Sequence, residues 1–426
     1  MLHDLKTLWK IKRFRVLLTA RTLSNIGNGM SPIAMAFGVL SLPGSNASSL
    51  SWVTASHMVP IVLFLLLGGV VADRMGRARV VGYADIIGSF VVATSGVLFL
   101  TGHATVPLLC VNAFIFGTLN ALWWPAFAGL LPEVVPSENL QAANSLVGLG
   151  TNIGFTLGAT MGAAIVSTVG PGWAIIGDGL TFLIAGILVL QLQLPTKMQT
   201  GEITKHPSMI SQLRQGWSEF YSRKWIVVIV ICFAFINMCF EGFLGVLAPV
   251  QMKEALGGAR DMQMKEALGG ARDMGLMLFA FGAGNIGGVL VSLRLKPKHP
   301  LIVAMGVMPI VGFWMLGAAV PFHIGVLMIL AFVSGIAMDL FFVMWMTMFQ
   351  THVPEEALSR VSAYDALGST VFAPFGLFLA GPISLWIGTS ETLYIAGVIA
   401  IVMACAALFN KDVRQLERVS DSVAVD

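Results

Sequence analysis

The sequence predicts an all-α polytopic membrane protein whose twelve transmembrane helices form two six-helix bundles. Three observations support this fold class: 56% of the 426 residues are hydrophobic, only 11% are charged, and the mean hydropathy is +0.83. Soluble domains carry roughly 25% charged residues, so the composition excludes a soluble enzyme and a disordered chain. A transmembrane β-barrel is excluded too, because its strands alternate apolar and polar residues, whereas the apolar runs here are continuous.

Twelve apolar runs, which we number as spans 1 to 12, are each long enough for a membrane-crossing helix, which takes about 20 residues. They cover residues 14–40, 50–72, 80–101, 105–128, 139–167, 172–194, 224–249, 275–294, 300–320, 323–349, 357–386 and 390–410. The chain is thereby predicted to divide into an N-terminal bundle at 1–194, a cytoplasmic linker at 195–223, a C-terminal bundle at 224–410 and a cytoplasmic tail at 411–426.

The basic residues orient the chain in the bilayer. They are concentrated before span 1, in the 2–3, 6–7 and 8–9 loops and in the tail, all on one side of a twelve-span arrangement. The 1–2, 3–4, 5–6, 9–10 and 11–12 loops contain no Lys or Arg. Because cytoplasmic loops carry the excess of Lys and Arg, we expect both termini in the cytoplasm and the chain in the cell (inner) membrane.

The 7–8 loop is the exception, since it carries basic residues that are each balanced by a nearby acid. It contains a perfect tandem repeat, because residues 251–262 and 263–274 both read QMKEALGGARDM. Three interpretations are open. The first is a recent in-frame duplication or a sequence artefact. The second is a tolerated extension of an outer loop, since loops accept insertions at little cost in free energy. The third is a functional element.

A longer internal repeat relates the two halves of the chain. The triplet GGV occurs at residues 68–70 and 287–289, an offset of 219, and the pattern VPxExL occurs at 135–140 and 353–358, an offset of 218. Parallel repeats of six spans are typical of one large class of secondary transporters. The alternative interpretation of the two VPxExL segments is that two helices begin with similar residues by chance, because Pro and a first-turn carboxylate both favour a helix N-terminus.

The most specific motif lies between spans 2 and 3, where residues 69–79 read GVVADRMGRAR. It resembles the signature loop of the major facilitator superfamily, G-x-L-a-D-r-x-G-r-[kr], with Val71 in place of the usual Leu. Within that superfamily the chain is most similar to the drug-exporter branch that includes macrolide efflux proteins and the enterobactin exporter. The residues that carry this likeness are WPAF at 124–127, LPEVVP at 131–136, LQAANS at 140–145, DGLTFL at 178–183 and KEALGG before span 8.

The resemblance implies a cytoplasmic gate at this loop. Asp73 is expected to face the N-terminus of span 11, where the helix dipole favours an anion, and Gly76 is expected to make the turn. The basic residues are expected to pair with acids at the start of span 11, and one acid in span 3 is assigned to the same gate. The remaining predicted gate residues are Arg74, Arg77, Arg79, Asp85, Glu355, Glu356 and Asp365.

Span 5 carries glycines at intervals of four, namely Gly150, Gly154, Gly158 and Gly162. Such a stripe permits close packing between membrane helices. It is also similar to the antiporter motif G-x-x-x-G-P-x-x-G-G, although Ala159 stands where that motif has Pro. Packing alone and an antiporter hallmark are both open interpretations.

Ionisable residues inside a span are costly and commonly line a cavity. Glu241 in span 7 is the strongest candidate for proton coupling or substrate contact, because an apolar environment favours a neutral carboxyl and so suits reversible protonation; a structural hydrogen bond is the alternative. The other candidates for coupling or substrate contact are Arg21, Asn25 and Asn28 on one face of span 1, Asn237 in span 7, Asp339 in span 10 and Asp178 in span 6, for which structural pairing is favoured.

Polar and aromatic residues in spans 4 and 10 are candidates for a cavity wall. A large apolar pocket with a few polar groups is typical of a small-molecule site, whereas lipid-facing or packing roles are the alternative. The candidates are Asn112, Asn120, Trp123, Trp124, Phe342 and Trp345.

The leading functional hypothesis is a monomeric secondary transporter that exports amphipathic small molecules in exchange for protons. Its predicted partners are the lipid bilayer, a small-molecule substrate and protons. No GxxxxGK[ST] loop, HExxH, GxSxG or metal-ligand cluster occurs, so no enzyme activity, cofactor or metal is expected, and the net charge of +3 argues against a nucleic-acid partner. The alternative is an importer or uniporter on the same fold.

Overall fold

The computed structural model describes residues 8–136, 139–192, 209–255, 263–295, 297–320 and 323–418. Within those ranges, side chains are described except for Leu66, Gly69, Val70, Asp73, Gln141, Leu293, Ala363 and residues 209–215, 254–255, 263–269 and 355–360. All regular secondary structure in the described ranges is helical. The all-α fold class is therefore confirmed.

The first six spans are single, uninterrupted helices. Their bounds are Lys12–Leu40 for span 1, Ala47–Met75 for span 2, Arg77–Leu100 for span 3, Val106–Val134 for span 4, Leu140–Val169 for span 5 and Pro171–Leu190 for span 6. At a rise of about 1.5 Å per residue, each reaches across the roughly 30 Å hydrocarbon core.

Three of the last six spans are interrupted. Span 7 comprises Lys224–Gly242, a π-helical turn at Phe243–Leu247 and Ala248–Ala255; span 9 comprises Pro300–Val307 and Pro309–Ala318; span 11 comprises Glu355–Thr370 and Ala373–Ile387. Spans 8, 10 and 12 are Gln263–Arg294, Ile324–His352 and Thr389–Ala407. The breaks in spans 9 and 11 fall next to prolines, which lack the backbone donor that an unbroken helix needs.

Over the residues that the structure describes, eleven of the twelve spans are long and apolar enough to cross a membrane. Span 1 is not among them, although its 29 residues are sufficient in length. It is the span that carries Arg21, Asn25 and Asn28, so its lower hydropathy reflects polar side chains within the helix. Polar groups in a spanning helix face the protein rather than lipid.

Two of the short helices outside the spans are named here, the linker helix, Met209–Ser222, and the tail helix, Lys411–Gln415. The sequence reading treated both regions only as polar stretches. The tail is held by Lys298, whose ammonium lies 3.0 Å from Glu417 and whose carbonyl accepts from the Arg418 amide at 2.9 Å. The linker helix packs on span 11, where Trp217 meets the ring of Tyr364 edge-on.

Helix packing follows a six-span pattern in each half. In the first half, spans 1, 5 and 6 pack together, span 2 packs against span 4, and span 3 packs against span 6. In the second half, span 8 packs against span 10, span 9 against span 12, and span 7 against span 11. The repeat offset of 218 recurs in the glycines of two of these contacts, although their partner residues are 224 apart. Gly117 in span 4 lies against the His57 carbonyl of span 2, and Gly335 in span 10 lies against the Phe281 carbonyl of span 8.

The two halves meet chiefly through spans 5 and 8 and spans 2 and 11. We call the membrane face that carries both chain termini the terminal face, and the opposite one the distal face. The Gly381 amide of span 11 donates to the Ser51 hydroxyl of span 2 at 2.8 Å, and Gly275 of span 8 lies against Ala163 of span 5. The principal contacts between the halves thus lie between the middle of the bilayer and the distal face.

The glycine stripe of span 5 packs against span 1. Gly150 and Gly154 lie against Thr22, Gly158 lies against the Ile26 carbonyl, and Gly162 lies against the Met30 backbone. These contacts support the packing interpretation of the stripe, because an added side chain would overlap neighbouring backbone.

We expect Gly158→Ala to lower the free energy of unfolding by about 2 kcal/mol, since the new methyl would overlap the Ile26 carbonyl oxygen and force spans 1 and 5 apart. Gly148→Ala is the matched control in the same helix, because no atom lies within 4 Å of its would-be Cβ. Thermal unfolding of the detergent-solubilised protein measures both. Equal melting temperatures for the two variants would contradict this packing role.

Candidate functional site

A cationic side chain lies inside the N-terminal half, on an aromatic platform. The guanidinium carbon of Arg21 lies 4.6 Å from the ring centroid of Trp123 and 4.9 Å from that of Phe127. Those two rings are themselves stacked at 4.7 Å with an interplanar angle of 6°. A cation over aromatic faces away from water is attracted by the ring quadrupole, so spans 1 and 4 are joined here by charge as well as packing.

Asp85 supplies the opposite charge. It is buried in span 3 and interacts electrostatically with Arg21. The sequence analysis assigned Asp85 to the cytoplasmic gate, and that assignment stays a prediction. Eight residues into span 3, Asp85 already lies inside the helix bundle, within electrostatic reach of Arg21.

The two asparagines of span 1 do not join this cluster. Asn25 is buried, donates to the Arg21 carbonyl at 2.8 Å and packs against Gly154 of span 5. Asn28 is half-buried. The predicted common face therefore divides, with the Arg21 side chain near span 4 and Asn25 near span 5.

Asp178 of span 6 is fully buried against span 1. A Cβ added at Gly27 would overlap both the Asp178 carboxylate and the Thr181 hydroxyl. Gly27 is therefore needed for the carboxylate to fit between the two helices. Neither carboxylate oxygen of Asp178 has a hydrogen-bond partner among the described residues, so the structural pairing of Asp178 stays a prediction.

In the C-terminal half, Asn237 and Glu241 lie one turn apart on the same face of span 7. The Asn237 amide donates to the Ser369 carbonyl of span 11 at 2.9 Å. Glu241 is half-buried and stands two residues before the π-helical turn Phe243–Leu247. Such turns are frequently found at functional sites, and the sequence reading missed this one, since glycines at 242 and 245 were its only local signal.

Two further acids lie in spans 10 and 11. Asp339 is half-buried against Gly288 of span 8, and its Oδ2 has no hydrogen-bond partner among the described residues. Asp365 accepts a hydrogen bond from the indole Nε1 of buried Trp345 at 3.2 Å and one from the Ser369 hydroxyl at 3.4 Å. A buried polar atom without a partner is costly unless a proton or ligand satisfies it, which distinguishes Asp339 from Asp365.

The loop between spans 2 and 3 makes its described contacts within its own half. Gly76 adopts a φ of 89°, which favours glycine. Arg77 donates to the Gly129 carbonyl at 2.8 Å and forms an ion pair with Glu133 at 3.4 Å, both on span 4. Arg74 and Arg79 are exposed.

The predicted partners across the halves are not joined to this loop by the described contacts. Asp365 accepts a hydrogen bond from Trp345 of span 10, and none of its described contacts is with an arginine of the loop. The side chains of Asp73, Glu355 and Glu356 lie outside the described residues. A latch between this loop and span 11 stays a prediction.

The predicted cavity residues divide into packed and exposed groups. Asn112 donates to the Ser95 hydroxyl at 3.1 Å, and Asn120 pairs with His57 at 3.2 Å, so both tie span 4 to a neighbouring span. Trp123 and Trp345 are buried, whereas Trp124 and Phe342 are 55% and 58% exposed. The exposed pair stands at the repeat offset of 218, so the two halves present equivalent aromatic side chains.

His57 in span 2 is a polar residue inside the bundle that the sequence analysis did not single out. Its ring stacks on Phe116 with centroids 5.5 Å apart, in addition to its bond with Asn120. Its signal was a lone histidine within the apolar run of span 2. Within the described ranges, no three His, Cys, Asp or Glu side chains are grouped so that they could hold a metal ion.

Comparison with known proteins gives one family. The sequence profile of the Major Facilitator Superfamily matches residues 17–327 and 235–424. The chain is 25% identical to the uncharacterized MFS-type transporter YkuC of Bacillus subtilis over 70% of both chains. It is 23% identical to the multidrug efflux pump Tap of Mycolicibacterium fortuitum over 95% of this chain and 97% of that protein.

Solved structures show the same fold. The nucleoside transporter NupG superposes with a TM-score of 0.69 at 16% identity, covering 93% of this chain and 98% of that one. An auto-inhibited POT family peptide transporter also gives 0.69, at 14% identity, covering 96% and 98%. A bacterial homologue of the lysosomal transporter Spinster, in an inward-facing and unoccupied conformation, gives 0.65 at 14% identity, covering 96% and 99%.

We expect Asp85→Asn to lower the free energy of unfolding by about 3 kcal/mol, because it leaves the Arg21 charge buried without its counter-charge. The double variant Arg21→Met/Asp85→Asn should recover most of that loss. Thermal unfolding of the unmodified chain, the two single variants and the double variant in one detergent measures the coupling free energy between Arg21 and Asp85. Arg79→Gln, at an exposed position, is the control. Additive effects of the two single substitutions would contradict an interacting pair.

Proposed function

This chain belongs to the Major Facilitator Superfamily, and from that membership we propose that it is a proton-coupled exporter of amphipathic small molecules that works by alternating access. Its membership makes it a multi-pass membrane transporter. The observation that carries the finer proposal is Glu241, a half-buried carboxyl in the middle of span 7 beside a π-helical turn. An intramembrane acid of this kind suits a group that exchanges a proton for substrate.

The direction of transport is supported by the relatives. Tap, a multidrug efflux pump, aligns over almost the whole of both chains. The motifs of spans 4, 5 and 6 resemble the branch with macrolide efflux proteins and the enterobactin exporter. We assign the substrate to the same broad class, drug-like or siderophore-like molecules.

Orientation adds a second argument. If the basic terminal face is cytoplasmic, the principal contacts between the halves lie on the outer side of the bilayer. The structure then corresponds to a state that receives substrate from the cytoplasm. An exporter binds its substrate in that state.

We assign roles to the remaining groups from their surroundings. Asp339, with an unpartnered buried oxygen, is a second proton site, while the aromatic pair Trp124 and Phe342 contacts substrate. Arg21 and Asp85 hold the N-terminal half together, whereas Asp178, whose two carboxylate oxygens also lack a hydrogen-bond partner among the described residues, is a further proton site. In this scheme the bundles at 1–194 and 224–410 rock against each other within a monomer, joined by the linker.

The alternative is an importer or uniporter on the same fold. The solved structures that share this fold include a nucleoside transporter and a peptide transporter. Substrate accumulation in cells with and without an uncoupler separates these classes. An exporter lowers accumulation until the uncoupler is added; an importer raises it.

Replacing Glu241 by Gln should abolish uncoupler-sensitive efflux of a fluorescent amphipathic dye. Loss of coupling to one proton forfeits about 2.3 kcal/mol per 100 mV, or about fifty-fold in the attainable concentration ratio. Glu391→Gln, an exposed acid at the start of span 12, is the matched control and should transport normally. Normal uncoupler-sensitive efflux by the Glu241 variant would rule out its coupling role.

Asp73→Asn should slow transport by about two- to fivefold without affecting folding, because a helix-dipole contact stabilises one state by about 0.3–1 kcal/mol. Initial efflux rates normalised to membrane protein level measure the effect. Asp412→Asn in the tail helix is the control. An unchanged rate in the Asp73 variant would argue against the latch.

A further inference from the structure

A buried carboxyl lies inside the N-terminal half, at the crossing of spans 1 and 6. Asp178 is 0% exposed, and neither of its carboxylate oxygens has a hydrogen-bond partner among the described residues. Buried polar atoms are almost always hydrogen-bonded, and an ionised carboxylate in an apolar interior is so costly without a partner that it takes up a proton instead. A proton on this carboxyl supplies the missing donor, provided that an acceptor lies beside it.

The hydroxyl of Thr181 is such an acceptor. Thr181 is buried one helical turn after Asp178. A Cβ added at Gly27 of span 1 would overlap both Oδ1 of Asp178 and Oγ1 of Thr181, so these two oxygens are neighbours across Gly27. Thr181 donates its own hydrogen to the Asp178 backbone carbonyl at 2.8 Å. Its oxygen therefore faces the carboxyl with lone pairs only, and it can receive a hydrogen bond there but not give one.

The helices around Asp178 bring no counter-ion to it. The spans that pack against span 6 are chiefly spans 1, 3 and 5, and span 5 carries no ionisable residue. Arg21 of span 1 stands six residues before Gly27, and Asp85 of span 3 faces Gly186, two turns beyond Asp178. Within the described part of the chain, no charged side chain interacts electrostatically with Asp178.

One further hydroxyl lies on the span 1 side. Ser31 follows Gly27 by one turn and lies near the carboxylate without forming a hydrogen bond to it. A serine hydroxyl can rotate to donate to one carboxylate oxygen. A single hydroxyl hydrogen would still leave the other oxygen beside the Thr181 lone pairs without a donor, so Ser31 does not replace the proton.

We propose that Asp178 is held as the neutral acid, with its proton between Oδ1 and the Thr181 hydroxyl, and that Thr181 is the positioning residue of this proton site. The inference rests on the proposed proton-coupled function for its role in transport. Gly27 leaves the space that the carboxyl and the hydroxyl occupy between the two helices. Release of the proton would leave Oδ1 facing the Thr181 lone pairs without a donor, so release requires spans 1 and 6 to separate at Gly27 and admit water.

Infrared difference spectroscopy of the whole chain in lipid bilayers tests the site without any substrate. A protonated carboxyl gives a C=O stretching band that an ionised carboxylate lacks. At neutral pH we expect Asp178→Asn to remove one such band from the spectrum of the unmodified chain. Thermal unfolding shows whether each variant is folded, and Asp178→Asn should melt as the unmodified chain does, because a neutral amide replaces a neutral acid.

Two substitutions of Thr181 test its positioning role. Thr181→Val keeps the shape of the side chain but removes the acceptor, so the Asp178 band should shift to higher frequency, as a carboxyl band does when its O–H loses a hydrogen bond. Thr181→Ser keeps the hydroxyl and should restore the band position. Thr347→Val in span 10 is the matched control, because the Thr347 hydroxyl also donates to a backbone carbonyl of its own helix, at 2.8 Å; it should leave the band in place.

The proposal is overturned if Asp178→Asn removes no protonated-carboxyl band, since Asp178 would then be ionised. It is overturned as well if Thr181→Val leaves every such band at its frequency in the unmodified chain. That second comparison needs no Asp178 variant, so the test stays decisive if Asp178→Asn does not fold. Failure of the proposed export function would show as absent flux, with the infrared result unaffected.

Discussion

Close approach of helix backbones is the constraint on which the rest of this structure depends. Lipid offers no hydrophobic driving force for helices to associate, so van der Waals contact at small residues must supply it. Gly158 against Ile26, and Gly335 against Phe281, are crossings where even a methyl group would not fit. These crossings bring the intramembrane polar side chains together, because they set which helices are neighbours and how near they come.

Both halves hold buried polar atoms that lack a hydrogen-bond partner among the described residues. In the N-terminal half, the Arg21 guanidinium lies over the rings of Trp123 and Phe127 and is attracted by Asp85, while its Nε and both carboxylate oxygens of Asp178 lack such a partner. In the C-terminal half, Asp339 keeps an unpartnered oxygen and Glu241 stands beside a break in helix geometry.

The internal repeat relates the stacked aromatic side chains of the two halves, although the polar groups that contact them differ. The stacked pair of Trp123 and Phe127 recurs at an offset of 218 as Phe341 and Trp345. The first pair carries a cation, while in the second the Trp345 indole donates to Asp365. One arrangement of aromatic side chains thus supports two different polar partners.

Sequence by itself determined the membrane class, the location of the spans and the two-fold repeat, because continuous apolar length and a shared offset are one-dimensional properties. It also selected Glu241, Asp339 and Arg21, since a charge inside an apolar run is visible without coordinates. It did not relate Asp85 to Arg21, and it missed the interactions of His57 and the π-helical turn. Only the tertiary structure decided those, because partners such as Arg21 and Asp85 are 64 residues apart in the chain and meet only once three helices have packed.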